Sequence, residues 1–302
     1  MDARERARQQ LHVTPAYQRA HDHAQFDPAS QGGARYWGKL PDGRHVPIER
    51  LEEEKQAYYA EQDRLEREAR TAMTLDATLA QLEALGTEQN RTVYPRHGVK
   101  VPLFGVSFAN LKALKKEIQT DHDLALRLWA TGNHDARVFA TMIADPAQAG
   151  ESLLNAWAAD LDNYILADSY SAYVGRTEHA RTAMLRWIDD AREFVGQTGW
   201  NLLAGLALND TDLPDSYFVP FLMRIERSIH DAQNRVRHAM NQAVIAIGTR
   251  SDGLEPKAVA AAERIGTVEV DHGATGCTTP EAAPYIQKAR AHRRAKEAKA
   301  SA

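Results

Sequence analysis

From about residue 74 the chain reads as one helix after another, and this pattern constrains its fold more than any other feature. Apolar residues recur at helical spacing, as in Phe108, Leu111, Leu114 and Ile118, and short breaks carrying Gly, Asn or Asp-Pro separate the segments. Capping residues sit where the segments begin. Ser107 precedes 108–118, Asp121 precedes 122–131, and Asn133 precedes 134–144, which stops at Asp145-Pro146. Thr74 or Asp76 suits the start of a segment ending at Leu85, with Gly86 just past its C-terminus. Further helices are expected over 149–161, 163–173, 177–189, 191–209, 216–230, 233–247 and 255–265, and a last one from Thr279-Pro280 into the tail. No strand-like alternation of useful length interrupts them. About ten helices joined by short loops imply an all-α bundle or an α-solenoid. No repeat is visible by residue identity, but a degenerate helix-pair repeat of about 40 residues fits the spacing.

Residues 1–70 differ. They are polar and poor in aliphatics, and residues 26–47 are rich in Gly, Pro, Asp and Ser. Leu40-Pro41-Asp42-Gly43 is a turn sequence that can close a short hairpin. Residues 48–71 follow as a charged helix with few apolar positions, read as a solvated helix or a partly disordered arm. The expected division is a polar extension over 1–70 and a helical-repeat domain over 71–302 with a basic tail.

Composition narrows the function classes. The chain has 302 residues, 43% of them hydrophobic, which suffices for a sizeable core. Its formal net charge of −4 neither argues for nor excludes a nucleic-acid partner, since a basic face can sit on an acidic average. A single cysteine, Cys277, rules out a disulfide framework and a cysteine-built zinc site, and suits a reducing cytoplasm. No apolar run reaches the roughly 18 residues of a membrane span. The first residues lack the apolar core of a secretory signal. Dinucleotide and Walker glycine motifs are absent.

Several segments, taken in order, resemble the AlkD-like DNA alkylation repair family of HEAT-repeat proteins over about residues 71–290. They are Gly105-Val106-Ser107-Phe108 with Leu111 and Leu114; Asp123-Leu124-Ala125 through Leu128-Trp129; and Gly132 through Arg137. Trp157, Asn163 through Asp168, Trp187-Ile188 and Phe194-Val195 follow, and then Val270 through Gly273 and Cys277 through Pro280. The resemblance implies a HEAT-like superhelix that holds double-stranded DNA and uses no metal or cofactor, and a monomer is expected. Active relatives hydrolyse the N-glycosidic bond of N3- or N7-alkylated purines. A carboxylate near the sugar stabilises an oxocarbenium-like transition state, and aromatic edges complement the cationic base.

Carried over residue by residue, the resemblance makes Asp168 the catalytic carboxylate. Tyr164 stands where the family has a tryptophan, Gln197 falls near its arginine, and Gln242 falls near its second tryptophan. These three, with Arg137, Arg176 and Arg237 from the basic residues spread over many helices, are the candidate DNA- and lesion-binding positions. Lys112, Lys115 and Arg235 belong to the same basic set, and the tail after Gln287 adds more cations suited to phosphate contacts. His134, Asp135 and Arg137 read more simply as the start of a helix, where acid is favoured. Asp271, His272 and Cys277 lack the partners of a metal site. Residues 273–280 read as a tight loop capping the last helix through Thr279 and Pro280. Two functions stay open: a DNA-binding alkylation-repair protein with glycosylase chemistry, and a non-catalytic helical scaffold that binds DNA or a protein.

Overall fold

The computed structural model describes residues 25–26 and 36–300, which fall into two compact units divided between Met73 and Thr74. In the first unit, β1 (Gln25–Phe26), β2 (Tyr36–Lys39) and β3 (His45–Pro47) form an antiparallel sheet in the order β1-β2-β3. The β2–β3 connection is the turn read from sequence. The Gly43 N–H donates to Leu40, and the Leu40 N–H donates to Arg44. Gly43 takes φ +91, where a side chain would be strained.

Helix α1 runs unbroken over Leu51–Leu85, which corrects the two-helix reading. Thr74 and Asp76 cap nothing, because no Gly or Pro occurs between Leu51 and Leu85 to end the preceding turns. The Thr78 hydroxyl instead donates back to the Thr74 carbonyl within the helix.

The second unit continues as α2 (Glu88–Val93), α3 (Phe108–Ile118), α4 (His122–Ala130), α5 (His134–Ile143) and α6 (Glu151–Ala159). Then come α7 (Tyr164–Val174), α8 (Ala180–Trp187), α9 (Glu193–Asn209), α10 (Val219–Ser228), α11 (Asn234–Arg250), α12 (Glu255–Ile265) and α13 (Ala282–Ala300). Among the described residues beyond Thr74 no strand forms, and Gly86 and Val106 make only an isolated bridge. The fold is all-α and HEAT-like, as expected from the sequence. Ser107, Asp121 and Asn133 accept from the backbone N–H groups of Asn110, Leu124 and Ala136, so the predicted caps are in place. Thr279 and Pro280 do not open α13, which starts at Ala282; the Thr279 hydroxyl is taken by His272.

Packing has the ladder form of a helical repeat. α5 packs on α7, α7 on α9, α9 on α11 and α11 on α13, so alternate helices build one continuous layer. α4, α8 and α12 pair with α5, α9 and α11 to build the other, where α10 lies on α12. Aromatic side chains fill the space between the layers. The Trp129 and Trp157 rings stack at 4.1 Å, and Tyr170 and Trp187 extend the column. Leu111, Leu128, Phe139 and Ile143 share this core, as their spacing implies. Gly199 lets α9 pass against the end of α8, where an added methyl would lie 2.5 Å from the Ile188 backbone nitrogen. Among the described residues no helix is long and apolar enough to cross a membrane.

Asp135 does more than decorate a helix start. Its buried carboxylate accepts from the backbone N–H groups of Phe104 (2.6 Å), Gly105 (2.9 Å) and Val106 (2.9 Å). This anchors the segment that leads into α3. Asp135→Asn places an amide donor against those N–H groups, and should cost about 3 kcal/mol of unfolding free energy. Urea titration of the two proteins measures it, and equal stability would show the anchor to be dispensable.

Candidate functional site

Asp168 stands on the outward face of α7, one turn after Tyr164, and the i,i+4 spacing puts both side chains on the same side. Gln197 and Asn201 repeat that spacing on α9, which packs beside α7. The two pairs meet. The Gln197 and Asn201 side-chain amides each donate to Asp168 Oδ1 at 2.8 Å. Gln197 also donates to the Tyr164 carbonyl at 3.3 Å, and Asn201 to the Ser171 hydroxyl at 3.3 Å. The Asp168 side chain opens to solvent, yet protein surrounds it closely. That enclosure pushes its pKa up, against the opposing pull of the Asn201 and Gln197 hydrogen bonds and the charge of Arg235.

Arg235, near the start of α11, completes the cluster. It is 7% exposed, and its guanidinium carbon lies 3.6 Å from the centre of the Tyr164 ring. Its backbone N–H donates to Glu193 Oε1 at 2.7 Å, while its buried Nε–H has no partner. On the phenol side, the Tyr164 hydroxyl shares a short hydrogen bond with His97 Nδ1. Burial raises the Tyr164 pKa and the nearby Arg235 charge opposes the rise, so the phenol stays protonated at neutral pH.

A groove of about 740 Å³ lies beside this cluster. Tyr164, Ile165, Asp168, Ala172 and Tyr173 of α7 form one wall, and Phe108, Lys112 and Lys115 of α3 form the other, with Met142 of α5 between. Arg176 closes one end, pinned by a 2.9 Å bond to the Thr141 carbonyl and by the Tyr173 ring at 5.7 Å. A second depression, on the far side of Asp168 and Arg176, runs along Asn201, Gly205 and Arg181.

The structure thus brings together Asp168, Tyr164 and Gln197, with Arg176 on the adjoining rim. The other predicted positions fall elsewhere. Arg137 donates to the Trp129 and Asp160 carbonyls and lies 5.5 Å from the centre of the Trp129 ring, tying α4 to the end of α6. Arg237 donates to the Glu269 and Ala232 carbonyls and steadies the segment after α12. Gln242 is half-buried on α11 and shares no hydrogen bond with the Asp168 cluster. Much of the tail's charge is committed as well. Arg290 and Arg294 pair with Asp252 and Glu255, and Arg293 donates to the Thr249 carbonyl, clamping α13 onto the start of α12. The sequence marks Arg235 only as one of many basic residues suited to DNA, with nothing to pair it with Tyr164, and does not mark Asn201 at all. The i,i+4 match of Gln197 and Asn201 was the one signal that could have found Asn201. Among the described residues no cluster of His, Cys, Asp and Glu has metal-site geometry, and Cys277 is exposed.

Residues 78–286 match the model of a family described as DNA alkylation repair enzyme. The chain belongs to the DNA alkylation repair family. A solved structure of a protein described as one of "a new family of proteins related to the HEAT-like repeat DNA glycosylases with affinity for branched DNA structures" is 30% identical; the match covers 73% of this chain and 95% of that one, with a TM-score of 0.67. Uncharacterized proteins of Listeria innocua and Listeria monocytogenes are each 25% identical over 229 residues, covering 72% of this chain and 98% of theirs. In this member of the family the acid stands between two amide donors, beside a tyrosine covered by arginine.

Because Asp168 is more easily protonated in the fold than in a free chain, ionising it costs stability at neutral pH and nothing below the ordinary carboxylate range. Asp168→Asn, which retains an acceptor for both amides, should raise the melting temperature at pH 7 and leave it unchanged near pH 3. Scanning calorimetry at both values tests this, and a loss of stability at pH 7 would contradict it.

Proposed function

We propose that the protein binds double-stranded and branched DNA through the groove between α3 and α7, as a single copy, and excises alkylated purines weakly or not at all. The observation that carries this reading is the cover on Tyr164. A guanidinium 3.6 Å from the ring centre occupies one aromatic face and holds a positive charge beside Asp168. Catalysis by a single carboxylate depends on uncompensated negative charge where a cationic sugar and base develop. Here that charge is shared with Gln197, Asn201 and Arg235, and a cationic alkylpurine would approach a fixed cation. Binding suffers no such conflict. Lys112, Lys115 and Arg176 surround the groove, and among the described residues neither lysine has an ion-pair partner. The family relative with affinity for branched DNA, matched over 95% of its length, supports the same reading.

A second reading is glycosidic hydrolysis. It is favoured by the openness of Asp168: both amide bonds fall on Oδ1, and Oδ2 accepts neither of them.

Two measurements separate the readings. Duplex affinity should fall steeply with salt, since neutralised phosphates release counterions, and salt-independent binding would sink the phosphate-lined groove. Incubation with DNA carrying 7-methylguanine and 3-methyladenine should release base no faster than the spontaneous rate. Release that Asp168→Asn abolishes, at duplex affinity kept within a few-fold, would establish the enzyme instead.

A further inference from the structure

The groove between α3 and α7 is more than a charged channel. Its α3 wall presents a single helix face on which Phe108, Lys112 and Lys115 follow one another at i, i+4 and i+7, while Leu111 and Leu114 turn into the core. Phe108 is 40% exposed, although the same helix has a buried apolar face available. Its position at the first turn is fixed from both sides. Ser107 caps the helix, and Asp135 holds the backbone of Phe104 to Val106 just before it. The aromatic ring is therefore held out over a groove whose facing wall is apolar at Ile165, Ala172 and Tyr173. The rim is cationic at Lys112, Lys115 and Arg176, and Asp168 is the acceptor on the wall. The hydroxyls at the margin are already spent on their own helices, Ser169 on the Ile165 carbonyl and Thr141 on the Val138 carbonyl.

An aromatic platform, an apolar slot, flanking cations and one hydrogen-bond acceptor together match a nucleobase with its two adjoining phosphates. Resting on the DNA-binding reading, we propose that this groove receives a base that is already unstacked from a duplex. In that role Phe108 is the stacking platform, Lys112, Lys115 and Arg176 take the neighbouring phosphates, and Asp168 accepts from the base edge. A paired base keeps both faces in the stack and cannot enter. A bulged base, or an unpaired base at a branch point, has already lost that stacking, so the groove selects DNA by the presence of an unpaired base. Stacking on one aromatic side chain is worth about 1–3 kcal/mol, which corresponds to a preference of roughly 5- to 150-fold.

The test uses the full chain and three DNAs with the same flanking sequence: a paired duplex, the duplex with a single bulged 2-aminopurine, and a four-way junction carrying one unpaired 2-aminopurine at the crossover. Anisotropy gives affinity, and 2-aminopurine emission gives stacking. Wild type should prefer the bulged and branched DNAs by at least about fivefold, and the emission should change on binding. Phe108→Ala should bring the three affinities together by weakening only the unpaired forms, and Phe108→Trp should restore the preference. Lys112→Gln with Lys115→Gln should weaken all three and flatten the salt dependence. Phe108 is surface-exposed, and a thermal melt matching wild type confirms that its variants fold. Equal affinity for all three DNAs with unchanged emission overturns the base receptor while leaving the DNA-binding reading intact. A preference that survives Phe108→Ala overturns it too. Failure to bind any of the DNAs overturns both.

Discussion

The packing of α7 between α5 and α9 is the constraint on which the rest depends. Tyr170 and Tyr173 leave one face of α7 and enter the aromatic column with Trp129, Trp157 and Trp187. Their hydroxyls donate to the Leu154 and Asp145 carbonyls, so burial of these rings orphans no polar atom there. With that face fixed, helical geometry leaves Tyr164 and Asp168 no choice but to point out of the layer. The carboxylate sits where it does because of rings that never touch it.

A neighbouring helix then determines what the carboxylate is able to do. α9 lies close enough to α7 for the Gln197 and Asn201 amides both to reach Asp168. α11 brings Arg235 onto Tyr164 from the next rung of the ladder. Each rung thus adds one feature: an acid and an aromatic ring, a pair of amides, a cation. On the reading proposed above, this combination receives an anionic polymer with an exposed base.

Much of the fold was legible in the sequence because its punctuation is local. Ser107, Asp121 and Asn133 are caps in the sequence and caps in the structure, each accepting from an N–H three residues on. Thr74 and Asp76 have the same side-chain chemistry but no helix breaker before them, and there the reading failed. The resemblance brought Asp168, Tyr164 and Gln197 to notice, and the structure gathers them. Asn201 and Arg235 join them from 33 and 71 residues beyond Asp168 and Tyr164, across contacts that no spacing rule reports. The role of Asp135 was hidden for the same reason. A carboxylate at a helix start looks like a dipole partner, and only the fold shows it holding three backbone N–H groups of another segment.

On the proposed reading, DNA occupies the groove between α3 and α7 and leaves the α8–α10–α12 layer free. Hydroxyl-radical footprinting of the protein with and without a four-way junction tests it most directly. Phe108, Tyr164 and Met142 should be protected on binding, while the exposed Leu185 of α8 and Met223 of α10 should react equally in both samples. Protection of Leu185 and Met223 with none at Phe108 would place the DNA on the α8–α10–α12 layer instead.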